Sequence, residues 1–201
     1  MLKVGLTGGL ACGKTFVGEA LASCGGQLIV ADQLGHQVLA PGGEAYDEVV
    51  REFGRGILNG DGVIDRRALA ARVFDSPDCL ARLNALVHPA VVRREERLMA
   101  ELAARDPHGI AIVEAAILIE NGSYARFDRI VLVTCAPEQQ VERALRREGS
   151  DEKDVRARLS RQMGFEQKRQ FAHFIVDTST DKENTLRQAR GVYEALRRIE
   201  S

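Results

Sequence analysis

A glycine-rich segment near the start of the chain restricts its possible folds more than any other part of the sequence. The segment reads Gly8-Gly9-Leu10-Ala11-Cys12-Gly13-Lys14-Thr15 and fits the pattern Gly-x4-Gly-Lys-[Ser/Thr]. A short apolar run, Leu2 to Leu6, precedes it, and an amphipathic stretch that contains Phe16 to Leu21 follows it. Strand, glycine loop and helix in this order are the setting in which such a pattern binds phosphate.

The residue types of this loop match the chemistry of a nucleotide triphosphate. Glycines let the backbone turn tightly and direct N–H groups at phosphate oxygens, and the helix adds the positive end of its dipole. Lys14 is expected to bridge the β- and γ-phosphates, and Thr15 is expected to place its hydroxyl on Mg²⁺. The loop therefore predicts a site for ATP and Mg²⁺. The residues expected to bind the nucleotide here are Gly9, Ala11, Cys12, Gly13, Lys14, Thr15 and Phe16.

The rest of the chain alternates between apolar runs and helical patterns. The apolar runs are Leu28 to Ala31, Ile110 to Val113, Arg129 to Val133 and Phe174 to Val176, and an amphipathic helix is expected from about Lys182 to Ile199. Continuous apolar runs suit strands that are buried on both faces of a parallel sheet. The alternation predicts an α/β protein with the three-layer fold of P-loop NTPases.

Two stretches depart from this alternation. Residues 44–106 show mostly helical periodicity, broken by the turn cluster Asn59-Gly60-Asp61-Gly62, and predict a helical substrate-binding insertion. Residues 141–171 are strongly charged and predict a helical lid. We therefore expect a single P-loop chain whose core comprises residues 1–43, 107–140 and 172–201.

Composition excludes several classes of protein. A formal net charge of −1 argues against a protein whose main task is to hold nucleic acid. We expect no signal peptide, because Leu2 to Leu6 show neither a basic leader nor a long apolar stretch, and the sequence contains no apolar run of the roughly 20 residues that span a bilayer. Its four cysteines form no C-x-x-C pair, which indicates free thiols in a reducing cytoplasm. We expect a cytoplasmic monomer or weak homo-oligomer without nucleic-acid or membrane partners.

Cys12 has two interpretations. It lies inside the loop at the start of a helix, where the dipole lowers the pKa of a thiol, and the first interpretation is a redox-sensing role. The interpretation we favour is that a small residue is tolerated at a variable position of the pattern.

Three classes of P-loop protein compete. A GTP-dependent switch needs an Asn-Lys-x-Asp motif, which the sequence lacks, although Asp32-Gln33-Leu34-Gly35 fits Asp-x-x-Gly. An ABC-type ATPase needs a longer chain and a signature that Leu159-Ser160-Arg161-Gln162 matches only distantly. A kinase needs an acid beside the acceptor hydroxyl and cations that close over the transferred group.

The residues that a kinase needs are present. Asp32 ends the second predicted strand, and the carboxyl ends of parallel strands share the edge of the sheet on which the loop lies. An N-cap of the following helix is the competing interpretation of Asp32. Arg143 and Arg147 are four residues apart on one face of the predicted lid helix.

Several motifs, taken together, resemble the dephospho-CoA kinase family over nearly the whole chain. They are Val4 to Gly9 with Lys14-Thr15, Val30-Ala31-Asp32, Asp65 to Leu69, Leu83 to Pro89, Ile117 to Glu120, Pro137 to Arg143, and Arg158 to Gln162. The resemblance implies transfer of the γ-phosphate of ATP to the ribose 3′-hydroxyl of dephospho-CoA, which gives CoA and ADP and completes coenzyme A biosynthesis.

The resemblance also implies roles for individual residues. Lys14, Asp32 and Arg143 are expected to be catalytic, and Arg147 is expected to contact the nucleotide. The residues expected to bind or shape the acceptor site are Asp32, Arg66, Leu83, His88, Glu120, Arg158 and Gln162. For His88-Pro89, a turn that starts a helix is the competing interpretation.

The chain departs from the family pattern at three places. Val30 replaces the first acid of Asp-Ala-Asp, and the stretch after Glu114 lacks the family's proline, although Glu114 can still hold Mg²⁺ through water. Asp177-Thr178-Ser179-Thr180 stands where the family has Asp-Asn-x-Gly near the adenine. The alternatives to this function are another nucleoside or nucleotide kinase and a nucleotide-gated binding ATPase.

Overall fold

The computed structural model describes residues 1–74, 76–146 and 151–200, without the side chains of Phe74, Asp154, Arg158 and Arg161. The chain divides into two compact units. One unit comprises Met1–Ile29 and Glu101–Ser201, and the other comprises Val30–Ala100. The glycine loop therefore lies in the first unit, and Asp32 belongs to the second.

A parallel sheet forms the centre of the first unit. Its strands are β1 (Leu2–Gly8), β2 (Gln27–Val30), β3 (Ile110–Glu114), β4 (Arg129–Thr134) and β5 (Phe174–Asp177). The strand order is β2-β3-β1-β4-β5, and β1 pairs in parallel with both β3 and β4. Every residue of β3 is buried, as its continuous apolar run predicts. The predicted strands are confirmed, except that β2 ends at Val30 because Ala31 begins a helix.

Helices follow the strands in the alternation that the sequence predicts. In chain order they are α1 (Lys14–Ser23), α2 (Ala31–Val38), α3 (Tyr46–Phe53), α4 (Arg66–Phe74), α5 (Pro77–Arg105), α6 (Pro137–Leu145), α7 (Glu152–Arg161), α8 (Phe165–Arg169) and α9 (Lys182–Glu200). Short 3-10 helices lie at Arg55–Ile57 and Ser123–Arg126. Within the described residues, none of the helices has both the length and the apolar character needed to cross a membrane.

The core of the first unit fixes the helix that follows the glycine loop. Val17 and Leu21 of α1 are fully buried in one cluster with Val4 and Leu6 of β1. Helix α9 adds its buried apolar side chains to the same cluster, at the three- and four-residue spacing of one helix face: Ala189, Val192 and Leu196. Because strand and helix share this core, the loop between them is held at both ends.

The second unit has a helical core of its own. Val49 and Phe53 lie four residues apart on α3 and are buried with Ile57 of the first 3-10 helix. Leu69 and Val73 of α4 pack into the same cluster. The mostly helical character predicted for this part of the chain is confirmed. The predicted limits of the insertion, residues 44–106, stay a prediction.

Pro89 corrects one interpretation of the sequence. It lies inside α5, which continues from Pro77 to Arg105, so His88-Pro89 is not a turn that starts a helix. A proline in a helix interior lacks the N–H that would bond the preceding turn, at a cost of about 3 kcal/mol. Here Ala90 is fully buried, and Leu86 and Val87 pack on the same cluster, so burial offsets the lost hydrogen bond.

Candidate nucleotide-binding site

The glycine loop connects the end of β1 to the start of α1. A Cβ atom on Gly8 would lie 2.3 Å from the backbone oxygen of Val133, so only glycine fits there. Gly13 is the N-cap of α1 and has a φ of 82°, a conformation that side chains disfavour. The two glycines that define the sequence pattern are therefore required by the backbone itself.

Ala11 anchors the tip of the loop to the following helices. Its φ of 56° is in the left-handed region, which costs a residue other than glycine on the order of 1 kcal/mol. Surrounding packing must hold such a conformation. Ala11 is buried in a cluster with Ala144 of α6 and Val155 of α7. The loop therefore takes its shape partly from these two helices.

Two glutamine side chains form hydrogen bonds with the backbone of Leu10, one with its N–H and one with its oxygen. The N–H of Leu10 donates to Oε1 of Gln162 at 2.9 Å. Nε2 of Gln140 donates to the oxygen of Leu10 at 3.2 Å and to Sγ of Cys12 at 2.9 Å. Gln162, expected to bind substrate, thus contacts the loop backbone. Sequence reasoning missed Gln140, because nothing in the glycine pattern requires a partner 130 residues away.

Lys14 and Thr15 are the first two residues of α1, and the polar group of each side chain makes a defined contact. The ammonium of Lys14 donates to the backbone oxygens of Gly8 at 3.2 Å and Gly9 at 2.9 Å. The hydroxyl of Thr15 donates to Oε1 of Glu114 at 2.9 Å. Glu114 is the last residue of β3 and is 6% exposed. Lys14 and the Thr15–Glu114 hydrogen bond therefore both lie at the start of α1, and the positive end of a helix is a position that favours phosphate.

Arg143 of α6 reaches the segment that follows β5. Its guanidinium donates to Oγ1 of Thr178 at 3.0 Å and to the backbone oxygen of Thr178 at 2.8 Å. The Thr178 hydroxyl in turn donates to the backbone oxygen of Cys12 at 2.9 Å. Thr178, which departs from the family pattern, is thus the link between Arg143 and the glycine loop.

Glu120 forms an ion pair with a buried lysine. Its Oε1 lies 2.7 Å from Nζ of Lys168, whose side chain is only 2% exposed, and accepts a bond from the backbone N–H of Met163 at 3.3 Å. Glu120 was expected to bind substrate. In the structure Glu120 instead bonds the turn between α7 and α8, and this turn also contains Gln162.

The Glu120–Lys168 pair gives a stability prediction. Glu120→Gln leaves the buried ammonium without a charged partner, so we expect it to lower the free energy of unfolding by about 3 kcal/mol, as measured by urea denaturation. Glu166→Gln is the matched control, because Glu166 and its partner Arg169 have side chains that are 79% and 61% exposed. We expect the control to cost less than about 1 kcal/mol. Equal effects of the two substitutions would contradict the account of the pair.

The predicted acceptor residues of the second unit lie on helices. Arg66 is the exposed first residue of α4, and His88 is exposed on α5. Leu83 is partly buried against the apolar cluster of the unit. Asp32 is the exposed second residue of α2, whose N-cap is Val30 and has no side-chain cap bond. The N-cap interpretation of Asp32 is therefore wrong, because the helix begins two residues earlier than that interpretation requires.

Three further residues were predicted to bind the nucleotide or the substrate: Phe16, Arg147 and Arg158. The ring of Phe16 lies at the start of α1 with Nζ of Lys182 at 5.9 Å from its centroid. Arg147 lies outside the described residues, and so does the side chain of Arg158.

Comparison with known proteins identifies what the chain is similar to. The family model described as dephospho-CoA kinase matches residues 2–184. Dephospho-CoA kinase of Aquifex aeolicus is 36% identical over 198 residues, which cover 98% of this chain and 99% of that one. Dephospho-CoA kinase of Thermobifida fusca is 39% identical over 198 residues, which cover 98% of each chain.

Solved structures agree with the fold. A crystal structure of a Thermus thermophilus protein superposes with a TM-score of 0.82 at 31% identity and covers 96% of each chain. Dephospho-CoA kinase from Campylobacter jejuni gives a TM-score of 0.67 at 21% identity, again over 96% of each chain, and supports the fold alone. The predicted P-loop NTPase type of α/β fold is confirmed.

Proposed function

Because the chain belongs to the dephospho-CoA kinase family, we propose that its glycine loop and lid transfer the γ-phosphate of MgATP to the ribose 3′-hydroxyl of dephospho-CoA. The family makes the chain an ATP-dependent phosphotransferase that forms CoA. What we propose is which residues carry out the phosphoryl transfer and which of them bind Mg²⁺. The observation that carries it is the arrangement at the start of α1, where the Lys14 ammonium bonds the loop backbone and the next residue, Thr15, bonds the carboxylate of Glu114.

Thr15 and Glu114 fit a bound Mg²⁺. Magnesium prefers oxygen ligands and usually keeps several waters while it takes one or two protein oxygens and the phosphates of its nucleotide. Among the residues that the structure describes, no three His, Cys, Asp or Glu side chains cluster as a metal cage. We therefore place the metal on the Thr15 hydroxyl, with Glu114 holding it through the hydroxyl or a water. When bound, it neutralises charge on the transferred phosphoryl group.

Glu114→Gln tests this placement. The substitution keeps the size of the side chain and removes the charge behind the Thr15 hydroxyl, so we expect the Mg²⁺ concentration for half-maximal turnover to rise by about 10- to 100-fold. Magnesium titration of the steady-state rate at saturating ATP measures it. Glu138→Gln is the control, since Glu138 is exposed in the first turn of α6. An unchanged magnesium dependence in Glu114→Gln would place the metal elsewhere.

The arginines of the lid act on the phosphates in this proposal. Arg143 bonds Thr178, whose hydroxyl bonds the backbone of Cys12, so its guanidinium is held by the same network that shapes the loop. We propose that Arg143 neutralises charge during transfer and that Arg147 binds the nucleotide. Phe16 and the backbone of residues 9–15 complete the nucleotide site.

The acceptor side of the proposal rests on the family resemblance. Asp32 is proposed to accept the proton of the attacking hydroxyl. The residues proposed to bind or shape the dephospho-CoA site with it are Arg66, Leu83, His88, Glu120, Arg158 and Gln162. For Glu120 and Gln162 the contacts with Lys168 and Leu10 support an indirect contribution, because each fixes a segment beside the nucleotide loop.

An acceptor panel tests the proposed substrate. With ATP and Mg²⁺, dephospho-CoA should accelerate ADP release by several orders of magnitude over the acceptor-free rate, whereas adenosine and AMP should not do so comparably. A coupled assay for ADP measures the three rates. Comparable rates with adenosine or AMP would favour another nucleoside or nucleotide kinase. A rate independent of any acceptor would favour the nucleotide-gated ATPase.

Three expectations about the protein's setting stay predictions. These are a cytoplasmic location, a monomeric or weakly associating state, and the lack of a nucleic-acid partner. Sedimentation velocity measures the second, and a filter-binding assay with DNA and RNA measures the third.

A further inference from the structure

Two cysteine sulfurs lie in contact beside the nucleotide loop. Sγ of Cys12 in the loop is 3.6 Å from Sγ of Cys135, which directly follows β4. Cys12 is 2% exposed and Cys135 is 8% exposed. The residues are 123 positions apart in sequence, so the parallel pairing of β1 with β4 is what brings them together. A disulfide needs an S–S separation of about 2.05 Å, so the two sulfurs need to approach by about 1.5 Å.

The surroundings make the two thiols unequal. The hydrogen bond from the Cys135 thiol, the Gln140 amide and the Lys14 charge together lower the pKa of Cys12 to about 6, against the opposing effect of burial. The same contact raises the pKa of Cys135. The lowered pKa favours the thiolate at Cys12, and the raised pKa favours the thiol at Cys135. This is the combination in which one sulfur attacks an oxidant and the other supplies a proton.

We propose that Cys12 and Cys135 form a site of reversible oxidative modification by hydrogen peroxide, in which a disulfide closes across the base of the nucleotide loop. The Cys12 thiolate attacks one oxygen of the peroxide, the O–O bond breaks, and hydroxide leaves, which gives a sulfenic acid on Cys12. The sulfur of Cys135 then attacks the sulfur of Cys12, its proton leaves with the hydroxyl as water, and the S–S bond forms. Each disulfide thus consumes one peroxide and yields one water and one hydroxide, and the hydroxide becomes a second water by taking up the proton that the Cys12 thiol released to solvent. Burial of both sulfurs favours a small oxidant over a bulky disulfide such as oxidised glutathione.

The disulfide would disturb the nucleotide site at a defined place. Cys12 precedes Gly13 and Lys14, and its sulfur accepts the hydrogen bond from Gln140. Its backbone oxygen accepts the bond from Thr178 that connects the loop to Arg143. Moving the Cys12 sulfur onto Cys135 breaks the Gln140 bond and displaces the backbone before Lys14. Resting on the proposed role of this loop, the inference is that oxidation blocks ATP binding and that bound ATP slows oxidation.

Peptide mapping tests the modification without reference to activity. The reduced protein is exposed to hydrogen peroxide, its remaining thiols are alkylated, and its peptides are analysed by mass spectrometry. We expect a linked Cys12–Cys135 peptide that is two hydrogens lighter than the sum of its parts, that disappears with dithiothreitol, and that forms more slowly with ATP present. Oxidised glutathione at the same concentration should produce little of it. Absence of the linked peptide, or equal efficiency of oxidised glutathione, would overturn the proposal.

Two variants connect the disulfide to the loop. Cys135→Ser removes the resolving thiol, so peroxide should leave Cys12 as a sulfenic acid that dimedone traps, whereas the wild type should not accumulate it. The double variant Cys24→Ser/Cys79→Ser is the control, and it should form the linked peptide as the wild type does.

Steady-state kinetics measure the effect of the disulfide on the loop. Oxidised wild type should lose about 100-fold in kcat/KM for ATP, which is the scale of the loss that a 1 Å misplacement causes, and should recover this activity with dithiothreitol. A disulfide that forms without change in ATP binding would overturn the proposed effect on the loop. A reduced enzyme inactive toward dephospho-CoA would instead contradict the proposed function.

Discussion

Replacing Lys14 with alanine is expected to reduce turnover by about 100- to 1,000-fold, since it removes a preorganised donor from the charge that develops on the transferred phosphoryl group. In the structure the ammonium is held by the backbone oxygens of Gly8 and Gly9, at the start of the loop. That position lies at the positive end of α1, so the lysine adds its charge where the helix dipole already favours phosphate. Steady-state kinetics with saturating dephospho-CoA measure the loss.

The same contacts call for a control on folding. The hydrogen bonds of the Lys14 ammonium also stabilise the loop backbone. Thermal unfolding of wild type and Lys14→Ala should therefore be compared, to show that the variant remains folded. Lys3→Ala is the matched kinetic control, because Lys3 is exposed on β1 and carries the same charge in the same unit. A folded Lys14→Ala enzyme with wild-type turnover would remove the lysine from the proposed mechanism.

Asp32→Asn is expected to lower kcat by about 100- to 10,000-fold and to leave the dissociation constant of MgATP nearly unchanged. The reason is that the proposed role of Asp32 is to accept the proton of the acceptor hydroxyl, which is needed only when phosphate is transferred. Asparagine keeps the size and polarity of the side chain and cannot serve as the base. Single-turnover kinetics measure the chemical step, and calorimetric titration measures nucleotide binding.

The chain offers a closely matched control for Asp32. Asp47 is the exposed second residue of α3, just as Asp32 is the exposed second residue of α2. Asp47→Asn therefore makes the same chemical change at the same position of a helix, including the same loss of charge near the helix dipole. We expect it to leave turnover within about twofold of wild type, since no interaction with the reacting groups is removed. Equal losses in the two variants would indicate a helix effect rather than catalysis.

The fold and the position of the loop follow from local features of the sequence. The strands are continuous apolar runs, so their positions can be predicted without knowledge of what they contact. The loop could be predicted because its glycines are fixed by the backbone: Gly8 faces Val133, and Gly13 takes a positive φ. Such requirements leave a pattern in the sequence that is visible from one chain alone.

The contacts around the loop could not be predicted in this way. Gln140, Gln162 and Thr178 lie more than 120 residues from the loop atoms that they bond, and no periodicity links them to it. The burial of Lys168 could not be predicted either. The lysine lies in a strongly charged segment, and its carboxylate partner Glu120 precedes it by nearly 50 positions. Pro89 was misjudged because proline usually ends or starts a helix, whereas apolar packing keeps α5 continuous here.

The proposed reaction delivers the γ-phosphate of ATP from the glycine loop to one hydroxyl of dephospho-CoA. Incubation with γ-³²P-labelled ATP, Mg²⁺ and dephospho-CoA, followed by separation of the products and phosphorus NMR of the labelled species, measures where the phosphate goes. We expect the label in CoA, on the ribose 3′-oxygen, in equal amount to the ADP formed, and expect Lys14→Ala to lower the rate of labelling by about 100- to 1,000-fold. Label recovered as inorganic phosphate, or on another position of the acceptor, would contradict the claim.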